Sequence, residues 1–493
     1  MDPRTPVLVG VGTVLQREVD PARAQEAVSL MIAAARHAAD DSRAPALLDR
    51  VDLVAVPRGI WSYADPARLV AADIGATARS LVAEIGILQQ SVISHACLEI
   101  AAGRSETVLV CGGEAKHRAL QAMLAGGSAP EREDAGAVPD LALRPAGDIL
   151  APVEISRHLA VPAHQYAVIE SALRHAAGRT PEAHGRHLGA LWGRFARVAA
   201  ANPDAWDRSA PADEAIVRPA GRNRVVAAPY TRLLCSQWNV DQAAALLLTT
   251  VERASSAGVP RERWVFPLAS VESNHMLPLT ARAELHRWPA FRIAARRLAE
   301  LADGGDRGAA GAGTDGGPVD LYSCFPAAVQ VQADELGLAH EAPLTVTGGM
   351  TFAGGPLNSY VLQSTATMAR VLRERPGERG LVTCVSGMLT KPALALWSTE
   401  PREGGFVRDD VGARAASATG QRPIDDAATG RATVVGATSL PEGGELARAV
   451  AIVEFDDGRR SIAVAEDPDL ARAWAEQDAV GSAVRVSAPG RLA

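Results

Sequence analysis

The chain has 493 residues, 47% hydrophobic and 22% charged, which suits a folded protein of two to four domains and excludes a disordered or fibrous one. Lys and Arg number 50 against 57 Asp and Glu, a formal charge of -7, so no global positive field draws the chain to nucleic acid or an anionic membrane. Pro6 to Gly12 is a short apolar run with β-branched residues closed by glycine, which predicts a buried strand entering a tight turn. Val28, Met31, Ile32, Ala35 and Ala39 lie on one face of a helix predicted from about Ala22 to Asp40. Val51 to Val56 reads as the next strand. Ile93, Ala96, Cys97 and Ile100 mark a second helix face that ends near Gly103, before a strand Thr107 to Cys111 and Gly112-Gly113-Glu114.

That helix-strand unit recurs. Val361, Thr365, Met368 and Leu372 form a helix face that leads into Gly380 to Cys384 and then Val385-Ser386-Gly387. Strand alternating with helix, used twice about half a chain apart, predicts an α/β fold made by duplication and not a solenoid. Residues 1–115 and 230–255 form the expected first half and 256–400 the second. Between them, 116–229 reads as a helical, polar insertion over one face. Residues 302 to 318 are too rich in Gly and too polar to pack and predict a disordered surface loop. Residues 401–430 lack sustained periodicity and read as a linker. In 431–493, three strand-like runs, a turn at Asp456-Asp457-Gly458, a short helix near Asp469 to Glu476 and a last strand predict a small barrel of the OB type. Acidic residues outnumber arginines in that tail, which argues against a nucleic-acid groove.

The five cysteines, Cys97, Cys111, Cys235, Cys324 and Cys384, form no CxxC pair, so neither a disulfide framework nor a bound metal is expected. Without a leader pattern or an apolar run near the ~20 residues of a membrane span, a cytoplasmic protein with no membrane contact is expected.

Four segments stand out for chemistry. Glu84 to Ser91 leads into the Ile93 helix, whose first turn offers unpaired N–H groups. Cys97, farther along on the apolar face, reads as a core thiol. Val319 to Pro326 is a strand run stopped by proline, with small polar residues at a strand end. Thr347 to Tyr360 holds the pairs Gly348-Gly349 and Gly354-Gly355, which permit close backbone approach to a ligand. In Val382 to Lys391, Cys384 ends a strand and is placed for proton transfer; its position predicts the most reactive of the five thiols, protected by bound ligand.

In this order these segments, with Val240 to Leu246 (VDQAAAL), Leu285 to Phe291 (LHRWPAF), DLYSCFP and GGMTFAGGP, resemble the thiolase superfamily over about residues 5 to 400. The nearest likeness is to the thiolase-like proteins related to the sterol-carrier-protein thiolases, often labelled acetyl-CoA acetyltransferases, and the C-terminal module resembles the additional domain of their type 1 members. The resemblance implies a duplicated five-layered α/β/α/β/α fold, an acyl-CoA partner in lipid metabolism, and no permanently bound cofactor, the CoA thioester being substrate or ligand. A monomer and a homodimer are both compatible with it.

The resemblance also assigns residues. Aligned back from Ala102-Gly103, the nucleophilic cysteine of active thiolases falls on Gly86. The Gly-His-Pro element matches Gly354-Gly355-Pro356, Asn-Glu-Ala-Phe matches Tyr322-Ser323-Cys324-Phe325, and Cys-x-Gly matches Cys384 with Ser386 in place of Gly. Each lost catalytic element costs ~10²-fold or more in rate, so thiolysis by the usual covalent route is not expected. The expected site therefore combines Cys384 as acid/base with Gly349, Gly354, Gly355 and Ser386 lining an acyl-CoA pocket. An altered acyltransferase-class reaction, or binding alone, follows from that set. The alternative is a retro-aldol lyase on a β-hydroxyacyl-CoA, with His275, Tyr322 and Tyr360 carrying protons.

Overall fold

The computed structural model describes residues 1–134, 136–303 and 313–492. Strands β1 (Pro6–Gln16), β2 (Leu53–Pro57), β3 (Arg79–Ala83), β4 (Thr107–Ala115) and β5 (Leu141–Leu143) precede a two-stranded pair, β6 (Val225–Ala227) and β7 (Tyr230–Thr231), and then β8 (Asp241–Thr250). The second half contributes β9 (Phe266–Glu272), β10 (Val319–Asp320), β11 (Arg379–Ser386), β12 (Lys391–Ser398) and β13 (Val407–Asp410). The first sheet runs β1-β8-β4-β2-β3-β5 and the second β10-β11-β12-β9-β13. Duplication is explicit in the pairing. The series β1-β8-β4-β2 is antiparallel, antiparallel, parallel, and β9-β12-β11-β10 repeats those senses.

Helix α1 (Ala27–Asp41) covers the outer face of the first sheet, α2 (Pro66–Asp73) packs on β2 and β3, and the helix Pro289–Asp303 covers β9 and β12. Helices α3 (Gln89–Ala101) and Tyr360–Glu374 lie between the sheets and touch strands of both, completing five layers. Burial on both faces explains why β2, β4 and β11 are near-continuous apolar runs without polar alternation. Helix α1 starts later than its periodicity predicts, because the Asp20 carboxylate and carbonyl accept N–H groups of Ala22, Arg23 and Ala24 and close a turn there.

Residues 116–229 form α4 (Lys116–Leu124), α5 (Pro152–Ser156), α6 (Pro162–Ala176), α7 (Pro181–Ala201) and α8 (Asp213–Val217). Proline in the first turn presets φ in α5, α6 and α7. The segment is not wholly helical, since β5 adds a parallel edge strand to β3. Helices α6 and α7 pack on the helix Pro326–Leu336, and α7 also packs on the short helix Gly349–Phe352.

The expected linker 401–430 is corrected. Strand β13 pairs in parallel with β9, and the helix Gly412–Ala418 buries Ala415. Four residues are too few for a periodic signal. Pairing to β9 and the ion pairs Arg408–Glu272 and Arg297–Asp409 hold the strand instead. Of the expected surface loop 302 to 318, residues 304–312 lie outside the described residues; Thr314, near its end, is buried.

Strands β14 (Gly430–Glu442), β15 (Glu445–Phe455), β16 (Arg460–Ala465), β17 (Ala483–Ala488) and β18 (Arg491–Leu492) close a barrel in the order β14-β15-β16-β18-β17, with the helix Pro468–Glu476 between β16 and β17. The barrel rests on α6. Ala437 donates its N–H to Ser171 Oγ at 2.9 Å, and a Cβ at Gly436 would stand 2.7 Å from Val168 Cγ1. Arg460 reaches the carbonyls of Arg282 and Ala283.

Glu114, buried at the end of β4, accepts the Ile60 N–H at 2.8 Å with one carboxylate oxygen, and among the described residues the other oxygen has no partner. Burial pushes its pKa up to about 7. The folded state thus keeps a proton that the unfolded state releases near pH 4.5, so stability falls as pH rises from about 4.5 to 7. Glu114→Gln is expected to raise the melting temperature at pH 8 and to change it little at pH 4.5, as followed by thermal unfolding at both pH values.

Candidate active site

Strand β11 delivers Cys384 beneath the first turn of α3, where the backbone amides of Gln89 and Gln90 lie close enough to its sulfur to lower its pKa. Leu88 caps α3, so the helix starts beyond Gly86, and the residues facing Cys384 are Gln89 and Gln90. Gly86 lies in the preceding loop at φ +101°, and its carbonyl accepts Ser386 Oγ and Lys391 Nζ. Gln89 ties the centre together. Its Oε1 accepts the N–H of Val361, and its side chain lies near enough to Tyr322 to lower the phenol's pKa.

The rings of Tyr322 and Tyr360 meet edge to face at 5.8 Å and 89°. Tyr322 follows β10, where its N–H donates to Thr383 Oγ1 at 2.7 Å and its carbonyl accepts from Gln332 at 2.8 Å. Tyr360 opens the central helix and bonds Thr347 Oγ1 at 2.7 Å and Asp320 Oδ2 at 3.2 Å. Burial, with the Asp320 charge for Tyr360 and the neighbouring thiols for Tyr322, raises both phenols well above their ordinary range, so both stay protonated.

Charged groups surround this centre. Lys391, at the start of β12, is 2% exposed, and burial lowers its pKa while Cys384 and Glu272 act the other way. Glu272, wholly buried at the end of β9, accepts Ser91 Oγ at 2.8 Å and Asn274 at 3.0 Å and pairs with Arg408 of β13. The former linker therefore contributes to the electrostatics of the site.

The structure brings Cys384, Tyr322, Tyr360 and Ser386 to one region. His275 lines a 70 Å³ cleft with Arg282, Trp288 and Thr390, where burial and the Arg282 charge lower its pKa. The glycines are packed against protein on the side where a Cβ would stand. A Cβ on Gly349 would stand 2.5 Å from Phe195, and one on Gly354 2.0 Å from Gln242 Oε1. Gly355 faces Met350 and the Gln237 carbonyl. On that side Gly349 and Gly354 admit α7 and β8 to this turn. The cavity beside Tyr360, lined also by Asn202, Gln242 and Thr347, is about 10 Å³, room for one water.

Sequence reasoning missed Gln89, Asp320, Glu272 and Lys391 as site residues. Lys391 had a signal: it is one of two lysines in the chain, the other being Lys116. Cys97 is a fully buried core thiol as expected. Cys384 is not poised as a thiolate, since burial pushes it up to about 12 despite the two N–H donors and Lys391, which lower it. Cys235 is the one cysteine only half-buried. Burial pushes Cys235 up to about 12 as well, so access decides, and iodoacetamide is expected to label Cys235 before Cys384, read by peptide mass; faster labelling of Cys384 would show that its strand end opens readily.

Among the described residues no helix is long and apolar enough to cross a membrane, and no group of three or more His, Cys, Asp or Glu is placed to hold a metal ion. No protein-family model matches the sequence, and no curated protein matches it. Solved structures do. A monomeric SCP2-thiolase like protein type 1 from Mycobacterium smegmatis is 28% identical over 100% of this chain and 99% of its own, with a TM-score of 0.82. An Ltp2-ChsH2(DUF35) aldolase is 19% identical over 81% of this chain and 99% of its own, with a TM-score of 0.58. Human mitochondrial 3-ketoacyl-CoA thiolase in complex with CoA is 16% identical over 81% of this chain and 99% of its own, with a TM-score of 0.54. The duplicated sheets, the two helices between them and the full-length likeness to a thiolase-like protein that includes the C-terminal barrel place this chain in the thiolase-like superfamily.

Proposed function

We propose that the protein is a cytoplasmic acyl-CoA enzyme of the acyltransferase class that holds the acyl end of a CoA thioester beside Cys384 and works without an acyl-cysteine intermediate. The observation that carries this reading is the seat of Cys384 under the N–H groups of Gln89 and Gln90, against the Tyr322–Tyr360 pair. Gly86, where the resemblance puts the nucleophile, has no side chain to carry an acyl group. Two N–H donors at a helix start favour developing negative charge on a thioester oxygen. Both phenols and the thiol hold their protons at neutral pH and serve as donors, not as bases.

Calorimetry with a panel of CoA esters, together with intact-mass spectrometry, tests the reading. At least one ester is expected to bind, with no acyl adduct on residues 84 to 100. Failure of every ester at millimolar concentration removes CoA thioesters as ligands, and a stoichiometric adduct there restores the covalent route.

A retro-aldol lyase is the second reading, favoured by the buried tyrosine pair and by a barrel fused to the fold in the same chain. It rests on Tyr322 and Tyr360, with His275 lining the cleft that Thr390 shares. Release of a ketone from a β-hydroxyacyl-CoA, lost in Tyr360→Phe, distinguishes it.

A further inference from the structure

Lys391 is a buried amine for which the scheme above has no use. In the antiparallel pairing of β11 with β12, Ser386 stands opposite Lys391 and Cys384 opposite Ala393. Side chains two residues apart on a strand share a face, so Cys384 and Lys391 are diagonal neighbours on one face of the hairpin, within reach of a long side chain. Among the described residues the one hydrogen-bond partner of its nitrogen is the carbonyl of Gly86. That is the residue onto which the resemblance aligns the thiolase nucleophile, so the amine sits at the loop from which a thiolate would act.

The choice of lysine is itself informative. Among lysines and arginines every residue but Lys391 and Lys116 is arginine, and a guanidinium holds a carbonyl as well as an ammonium does while being unable to act as a nucleophile. Desolvation favours the neutral amine, whose lone pair is nucleophilic, and the single Gly86 contact uses one N–H.

Resting on the thioester reading and going beyond it, we propose that Lys391 is an amine nucleophile that forms an imine with the ketone carbonyl of a β-ketoacyl thioester. The nitrogen lone pair makes a C–N bond to the ketone carbon while the carbonyl π bond breaks, and the oxygen takes a proton from nitrogen to give a carbinolamine. That hydroxyl then leaves with the remaining N–H proton as water, so amine and ketone give imine and water with no change of oxidation state. The resulting C=N group draws electrons from the carbon between it and the thioester, which is the function of an amine in this place.

Acetoacetyl-CoA with sodium cyanoborohydride tests the proposal, because the reductant supplies the hydride that fixes the imine as a secondary amine. Intact mass is expected to show one adduct per chain, which peptide mapping places on Lys391, with Lys116 and the N-terminus as internal controls. Lys391→Arg is expected to keep the Gly86 contact and the melting temperature while losing the adduct, and Lys391→Met to lose the adduct and some stability. Binding of acetoacetyl-CoA by calorimetry with no adduct on Lys391 overturns the imine and leaves the thioester reading standing. If no CoA ester binds, acetone as a second probe still decides: reductive labelling of Lys391 no faster than of Lys116 overturns the proposal.

Discussion

Asp320→Ala is expected to destabilise the protein by about 3–5 kcal/mol, the cost of removing the acceptor at the centre of a buried polar network. The Asp320 carboxylate is 1% exposed and accepts six hydrogen bonds. Oδ1 takes the hydroxyls of Thr345 and Thr347 and the N–H groups of Val346 and Thr347, and Oδ2 takes Tyr360 and Ser364. Alanine removes the shared acceptor and leaves Val346 N–H and Ser364 Oγ without it, while Thr347 and Tyr360 keep each other and Thr347 keeps Thr345. Asparagine keeps the shape and one acceptor oxygen, so Asp320→Asn is expected to cost less than half as much. Urea unfolding at constant m-value measures both. Equal stability of Asp320→Ala and the parent would mean that the network is wet. Because Thr347 and Tyr360 lean on this carboxylate, the same variant is expected to weaken any CoA-ester binding.

Gly348→Ala is expected to cost about 3 kcal/mol or more, through strain and overlap together. Gly348 sits at φ +97°, and a Cβ there would stand 2.4 Å from the backbone nitrogen of Ala199 and 2.5 Å from its Cα. Those atoms belong to α7 and cannot swing aside as a side-chain tip does. Gly147 supplies the control: it has φ +87° with nothing within 4 Å of its would-be Cβ, so Gly147→Ala isolates the strain alone, about 1 kcal/mol. Urea unfolding separates the two, and limited proteolysis across 181–201 shows whether α7 has lifted from the turn. If both substitutions cost the same, α7 does not press on residue 348 in solution.

The parts of the fold legible in the sequence are those whose signal is local. Val28, Met31, Ile32 and Ala35 announce α1, and the apolar run Thr107 to Cys111 announces β4, because burial imposes a period within a dozen residues. The repeat of that unit before Cys384 made the duplication visible. Strand β13 gave no such signal: four residues with alternating partial exposure owe their place to β9 and to Glu272. The early start assigned to α1 failed for a related reason, since the turn at Asp20 depends on one carboxylate.

At the site, residue types were legible and their partners were not. Cys384, Tyr322 and Tyr360 were found because strand ends and a shared motif order mark them, and they do converge. For His275, Gly349, Gly354 and Gly355 the neighbours were not legible: Arg282 and Trp288 share the cleft of the first, and Phe195, Met350 and Gln242 pack on the Cβ side of the others. By itself the sequence determined the two α/β halves and the barrel, for these follow from periodicity and turn chemistry along the chain. Only the tertiary structure decided which of its two lysines would lie at the Gly86 loop, that Arg408 would balance Glu272, and that Cys384 would keep its proton. Each of those depends on what stands across a gap between elements far apart in sequence, where desolvation and neighbouring charge act through space.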